Sequence, residues 1–245
     1  MTSTPLVQPA STYWHFLSPR RCLQYRDGRE VVVGETLRVE GSPVLCKHGL
    51  HASAQAIDAL SKAPGPIACL VTLGGEIAHG KDKSAAQERT VFWMVDATRL
   101  LRDFACNVAE IALERERERG REPDPRSWAA VEVMRRFLRG DASEGERYTA
   151  WAAARAAAWD AYDASNAAAH AAAYAAVYAV DDAAYAAAAS AANAASYAAM
   201  RAANVAANAA SYAAMRVAAK AAAYATCNVR LTQLLLAAGQ VEAIA

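Results

Sequence analysis

Signals of several well-known function classes are missing from this chain of 245 residues. The sequence has no phosphate-binding glycine loop, no H-E-x-x-H zinc motif, no nucleophile elbow and no dinucleotide fingerprint. Its five cysteines are odd in number and never form a C-x-x-C pair, which argues against a disulfide framework and against a zinc knuckle. We therefore expect no cofactor, and we expect free thiols in the reducing cytoplasm.

A large excess of charge is also missing. The formal net charge is +1, so the chain lacks the strong positive field with which proteins hold many nucleic-acid phosphates. The residues after Met1 show no apolar signal-peptide core, and the uncharged stretch 183–200 is mainly alanine without Leu, Ile or Phe. We expect neither nucleic acid nor a membrane as a partner, whereas a protein partner fits. The sequence leaves the oligomeric state open.

The first 95 residues predict an α+β domain with a small, mainly antiparallel sheet. Short apolar or alternating runs are separated there by glycine and proline turns. The predicted strands are 31–33, 36–39, 44–46, 67–73 and 90–95. A short helix capped by Ser53 and an exposed polar loop over 79–88 complete the predicted domain.

Residues 96–245 predict an all-α domain. Apolar residues at helical spacing indicate a helix hairpin over 96–140, with Asp96 and Asp124 as N-caps. Between Gly145 and Gly239 there is neither glycine nor proline, and alanine, the best helix former, dominates. We expect an alanine-rich helical bundle over 146–238. Its breaks are predicted near 163–166, 181–182 and 204–208, with Tyr178 and Tyr185 packed between the helices.

A thiol and two imidazoles lie within six residues of each other, at Cys46, His48 and His51. As a zinc site this group is incomplete, because a fourth ligand would have to come from Cys69, His79 or His15 and no second spaced pair exists. We therefore expect no metal, with Cys46, His48 and His51 as the candidate ligands if one binds.

Catalysis is the other chemistry that this group suggests. Cys46 could act as a nucleophile with His51 as its base, in a pocket that Glu76 and Lys83 complete. No sequence feature indicates an activated thiol. His51 lies between Gly49 and the short helix, so we expect it first of all to tie a turn to the sheet.

Two stretches of the chain resemble known families. Residues 21–95, with Cys46-Lys47-His48-Gly49-Leu50-His51-Ala52 followed by Gly75-Glu76-Ile77 and Asp82-Lys83, resemble an uncharacterised domain of bacteriophage and prophage proteins. Its signature is a cysteine, two residues and then G-[L/F]-H-A, and it implies no established activity. Residues from Phe92 onward, above all 102–110 and 129–140, resemble alanine-rich bacterial immunity proteins. That resemblance implies binding and neutralising a partner.

These observations favour a non-catalytic protein-interaction module of phage or toxin-immunity type. The alternative is an enzyme that processes a small ligand or nucleotide in an N-terminal pocket around His51, as in compact ADP-ribosyl-transfer folds. A second alternative is a structural or particle-associated protein in which the helices serve as a spacer.

Overall fold

The structure is a computed structural model that describes residues 11–24, 27–163, 173–176, 190, 193–194 and 209–242. The chain combines an antiparallel sheet with helices and is α+β, as predicted. It divides into two compact units. The N-terminal unit comprises Met1–Thr98 and Arg230–Ala245, and the helical unit comprises Arg99–Val229. The sequence had assigned all of 96–245 to one helical domain, whereas the structure groups Arg230–Ala245 with the sheet.

The N-terminal unit is built on strands β1 (Tyr13–Leu17), β2 (Thr36–Arg38), β3 (Leu50–Ala52), β4 (Ile67–His79) and β5 (Ser84–Asp96). The strand order is β1-β4-β5-β2, β3 also pairs with β5, and all pairs are antiparallel. Directly after β3, the backbone of Ser53 exchanges two hydrogen bonds of 2.7 and 2.9 Å with Trp14 of β1. The pairing therefore returns from β3 to β1, and the strands surround a shared core.

The β4–β5 hairpin is longer than predicted. The stretch 79–88 was expected to be an exposed loop, but Ala85 and Ala86 are fully buried and pair with both β3 and β4. Two predicted strands are wrong. Residues 31–33 form no strand, and Val44 of the predicted strand 44–46 makes only an isolated bridge with His48 within a turn.

The short helix α1 (Ala56–Leu60) exists, but its predicted cap is wrong. Its N-cap residue is Gln55, which makes no side-chain cap hydrogen bond. Ser53 is buried, and its backbone is committed to the sheet. Strand pairing thus outcompetes capping at this position.

Alternation along the strands gives the sheet two different faces. One face carries an apolar core cluster, to which Leu17, Val31, Ala52, Ile67, Cys69, Val71, Val91 and Met94 belong. On the other face Trp14 and Trp93 meet edge to face, with ring centroids 5.9 Å apart. A Cβ atom added to Gly239 would lie only 2.5 Å from the Trp93 ring, so this close approach requires glycine.

The predicted helix hairpin is confirmed as α2 (Thr98–Arg117) and α3 (Pro125–Arg139). Asp96 accepts a hydrogen bond from the Thr98 amide at 2.9 Å, and Asp124 accepts one from the Arg126 amide at 2.8 Å. Both aspartates therefore cap helix N-termini as expected. Gly140 ends α3 with φ +86°.

An arginine of α3 joins the two helices of the hairpin. The Arg135 guanidinium binds both carboxylate oxygens of Glu110 at 2.8 and 2.6 Å and donates to Asp103 at 3.0 Å. Because one side chain holds two acidic residues of α2, it fixes the register between the helices.

Two long helices are described in the alanine-rich part, α4 (Glu144–Asp163) and α5 (Ala209–Glu242). Except for Asp163, with which α4 ends, the predicted breaks lie outside the described residues. So do Tyr178 and Tyr185, and these expectations stay predictions. None of the described helices combines the length and the apolar character needed to cross a membrane.

Candidate functional site

His51 ties a turn to the sheet, as its position in the sequence predicted. It lies on β3 opposite Ala85, and its Nε2 accepts a hydrogen bond of 3.1 Å from the Cys46 backbone amide. An accepting Nε2 carries no proton, so the proton of the neutral ring is on Nδ1. Burial, and next the charge of Lys83, lowers the pKa of His51 and favours this neutral form. The bond holds Cys46 at φ +64°, a conformation that residues other than glycine seldom adopt.

The structure brings only some of the predicted site residues together. The Cys46 amide donates a hydrogen bond to His51, and the charge of Lys83 lowers the pKa of His51. Glu76 is exposed at a bulge of β4, where its amide donates to the Gln87 side chain at 2.9 Å. In the described part of the chain, Glu76 and His51 share no hydrogen bond or ion pair. A pocket formed by these four residues stays a prediction.

The two imidazoles among the candidate metal ligands bind backbone groups. His48 Nε2 donates to the Glu40 carbonyl oxygen at 2.6 Å, since a carbonyl can only accept, and His51 Nε2 holds the Cys46 amide. Among the residues with described positions, no group of three or more His, Cys, Asp or Glu side chains is placed to hold a metal ion.

The unusual group at this place is Arg89, which the sequence reasoning missed. It lies on β5 and only 1% of its surface is exposed. Its Nη1 donates to the His51 carbonyl oxygen at 2.8 Å. Its Nε and Nη2 are buried and have no hydrogen-bond partner among the described residues. Burial lowers the pKa of Arg89 to about 10, which leaves the side chain charged at neutral pH.

Two neutral side chains accompany this charge, His15 of β1 and its cross-strand neighbour Cys69 of β4. Burial, followed by the charge of Arg89, holds the pKa of His15 well below its ordinary value. Burial raises the pKa of the Cys69 thiol to about 12, although Arg89 acts in the opposite direction. We call Arg89, His51, His15 and Cys69 the Arg89 site.

The carboxylate of Asp27 acts on Arg89 through its charge, which raises the pKa of the guanidinium against the larger effect of burial. Both oxygens of that carboxylate are bound by Arg29, at 2.7 and 2.8 Å. Asp27 therefore moderates the field at Arg89 without hydrogen bonding to it.

Within the Arg89 site, these protonation states favour binding over catalysis. A thiol with a pKa near 12 is not a nucleophile at neutral pH, and the His51 Nε2 lone pair is already occupied by an amide. What remains is a buried positive charge with two donors, Nε–H and Nη2–H, which point from the same edge of the guanidinium. That edge matches the two oxygens of a carboxylate.

One sequence signal could have revealed Arg89. On β5 it shares the inward face with Val91, two residues further along the strand, so alternation places a charge where an apolar side chain is expected. The signal was lost because the strand was predicted to begin only at Thr90.

Comparison with known proteins assigns no activity to this site. Residues 17–103 match the model of a domain of unknown function, DUF7666. The matched segment contains Arg89, His51 and Cys69, whereas His15 lies just before it. No curated protein and no solved structure matches the chain significantly.

Proposed function

We propose that the N-terminal unit is a non-catalytic recognition module that binds a protein partner by accepting one of its carboxylates on Arg89. The observation that carries this proposal is the buried Nε/Nη2 edge, which has no partner among the described residues. A buried polar group without a hydrogen bond costs free energy, about 1–3 kcal/mol or more when it is charged. Binding a carboxylate would recover that cost.

The protein itself illustrates the preferred ligand of this edge. Four described arginines each use Nε and Nη2 to bind both oxygens of one carboxylate, at 2.6 to 3.0 Å. These pairs are Arg29 with Asp27, Arg121 with Glu116, Arg126 with Asp124 and Arg135 with Glu110. By the same geometry, Arg89 is suited to a carboxylate.

The charge of the site also favours a carboxylate over a phosphate. A phosphate carries up to two negative charges and usually gathers several donors or cations. Beside Arg89, the two histidines have lowered pKa values and are neutral at pH 7. A single guanidinium balances one negative charge.

The nature of the partner rests on the resemblances described above. The resemblance to the phage domain implies no established activity. The resemblance to immunity proteins implies a protein that binds and neutralises another protein, and we propose a function of this type. We further propose that it acts in the cytoplasm, with support from the five cysteines, all of which are free.

The first test uses acetate as a probe for the carboxylate, with acetamide as its neutral analogue. Thermal unfolding of the full chain is followed at constant ionic strength, because a ligand that binds only the folded state raises the midpoint. Acetate should raise the midpoint of the wild type, and acetamide should not. Phosphate should act more weakly than acetate.

Two arginine variants complete this test. Arg89→Gln should abolish the response to acetate. Arg38→Gln is the matched control, since Arg38 is an exposed β2 residue paired with Glu88 and should leave the response intact. An equal response in wild type and Arg89→Gln would refute the proposal, and so would a stronger response to phosphate. Any protein partner captured by the wild type must also be lost by Arg89→Gln.

A further inference from the structure

A second candidate site lies entirely within the helical unit. It is a cavity of about 240 Å³ between the end of α2, the start of α3 and α4. It is lined by Leu113, Glu116, Arg121, Glu122, Pro123, Asp124, Ser127, Ala157, Asp160, Ala161 and Ala173. This volume suits a group the size of one long side chain, being smaller than the ~300–1,000 Å³ of typical drug-sized pockets.

A buried hydroxyl group lines this cavity without a hydrogen-bond partner. Ser127 is fully buried in the first turn of α3, where its backbone amide donates to the Asp124 carbonyl oxygen at 2.9 Å. Its Oγ has no hydrogen-bond partner in the part of the chain that the structure describes. Burying a hydroxyl in this way is unfavourable, and a donor on a bound ligand would satisfy it.

The polar part of the lining is negatively charged. Of its carboxylates, Glu116 is bound by Arg121 at 2.7 and 3.0 Å, while Asp124 and Asp160 share Arg126 at 2.6 Å each. Glu122 is exposed and forms no ion pair with any described residue. Arg119 lies 3.8 Å from Glu116, and even with it four carboxylates face three guanidinium groups. The cavity therefore favours a cation.

The rest of the lining is apolar and consists mainly of small side chains. Leu113 and the alanines 157, 161 and 173 leave room beside the charged groups. A short alkyl chain can pack against them and remove apolar surface from water. The combination selects a cation on an aliphatic stem.

We propose that this cavity binds an alkylguanidinium or alkylammonium group, with the cationic head at Ser127 and Glu122 and the stem along the alanines. A free small cation or a basic side chain of a peptide would present the same chemistry. The site lies in the other unit from Arg89 and takes a ligand of the opposite charge, so it is independent of the function proposed above.

The binding test compares butylguanidinium with butylurea, which has nearly the same shape but no charge. Isothermal titration of the full chain should show saturable binding of butylguanidinium and none of butylurea. The peptide acetyl-Gly-Arg-Gly-amide is titrated in parallel. Tighter binding of the peptide would identify a peptide side chain as the source of the cation, and tighter binding of butylguanidinium would identify a free small molecule.

Variants then locate the site. Glu122→Gln should weaken binding about tenfold through the loss of one charged hydrogen bond, whereas the exposed neighbour Glu118 lies outside the cavity lining and Glu118→Gln should have no effect. Ala161→Met, which fills the cavity, should abolish binding. Thermal unfolding confirms that each variant is folded. If Ala161→Met does not fold, Glu122→Gln alone decides the test.

Three results would overturn the proposal. The first is the absence of saturable binding of butylguanidinium up to millimolar concentration. The second is equal binding of butylurea. The third is the same loss of affinity in Glu118→Gln as in Glu122→Gln.

Discussion

Replacing Arg89 with methionine tests whether this arginine stabilises the fold or is retained to bind a ligand. Burial lowers the pKa of Arg89 by between two and three units, to about 10. Since one pKa unit corresponds to about 1.4 kcal/mol, keeping the charged form in the folded protein costs about 3 kcal/mol. Methionine has a similar length, carries no charge and adapts to irregular space, so Arg89→Met removes this cost without leaving a large cavity.

The variant also loses the hydrogen bond from Arg89 Nη1 to the His51 carbonyl oxygen. A hydrogen bond from a charged donor is worth about 1.5–3 kcal/mol. The two effects nearly cancel, and we expect the free energy of unfolding of Arg89→Met to stay level or to rise by up to ~2 kcal/mol. Arg89→Ala should instead lose ~2–5 kcal/mol, because it leaves a cavity.

Urea denaturation of the full chain at pH 7.5, followed by tryptophan fluorescence without carboxylate buffer, measures both variants. The slope of free energy against urea should match that of the wild type, since the surface exposed on unfolding is the same. A loss of 3 kcal/mol or more in Arg89→Met, at unchanged slope, would mean that the guanidinium is satisfied within the fold. The carboxylate proposal would then fail.

Three further predictions test the physical account of the fold. Gly239→Ala should lower stability by ~1–3 kcal/mol, because its Cβ would overlap the indole ring packed against it. Gly145→Ala is the control and should gain up to ~1 kcal/mol, since its Cβ would contact one atom at 3.8 Å. Equal urea midpoints of the two variants would contradict this account. Arg135→Met should cost ~1–2 kcal/mol in urea unfolding through its part-buried carboxylate pairs, and an unchanged midpoint would show that these pairs do not hold the hairpin. Because the pKa values of His15 and His51 lie below 6.5 in the folded state, the unfolded chain binds more protons as pH falls below 6.5, so stability should decrease there. The double variant with glutamine at both positions should show a flatter pH dependence, and an unchanged dependence would rule out these residues as its cause.

Local features of the sequence were enough to predict the helix hairpin. The Asp124-Pro125 pair and Gly140 act through their own backbone and the adjacent turn, so the chain within a few residues decides where α3 begins and ends. The tie between His51 and the turn at Cys46 is similarly local, because five residues separate the two partners.

Features that depend on contacts between distant segments were not predictable. Gly239 was expected to mark the end of the alanine-rich helices, but α5 continues through it to Glu242. The glycine is instead needed because a tryptophan of β5 occupies the space where a side chain would lie. The stretch 79–88 looks polar because half of a strand's side chains point away from the core, and only pairing with β3 and β4 shows that Ala85 and Ala86 are buried.

The Arg89 site belongs to this second class. Alternation along β5 could have placed Arg89 on the inward face. Its burial, however, depends on β1 and β3, which lie far away in the sequence, as well as on the neighbouring β4. The neutral states of His15 and Cys69 follow from burial in the same sheet. Neither the buried charge of Arg89 nor these neutral states can therefore be assigned before the sheet is assembled.

The other arginines of the chain give the strongest reason to regard Arg89 as a binding residue. This chain satisfies the Nε/Nη2 edge of four arginines with its own carboxylates, so bidentate pairing is readily available to it. At Arg89 the same edge is buried without such a pair among the described residues. An apolar side chain at this position would avoid the free-energy cost of a buried charge. Residues kept for function often lower stability in this way. Replacing Arg89 with methionine should therefore abolish carboxylate binding without lowering stability, whereas replacing a structural arginine would lower stability without any effect on carboxylate binding.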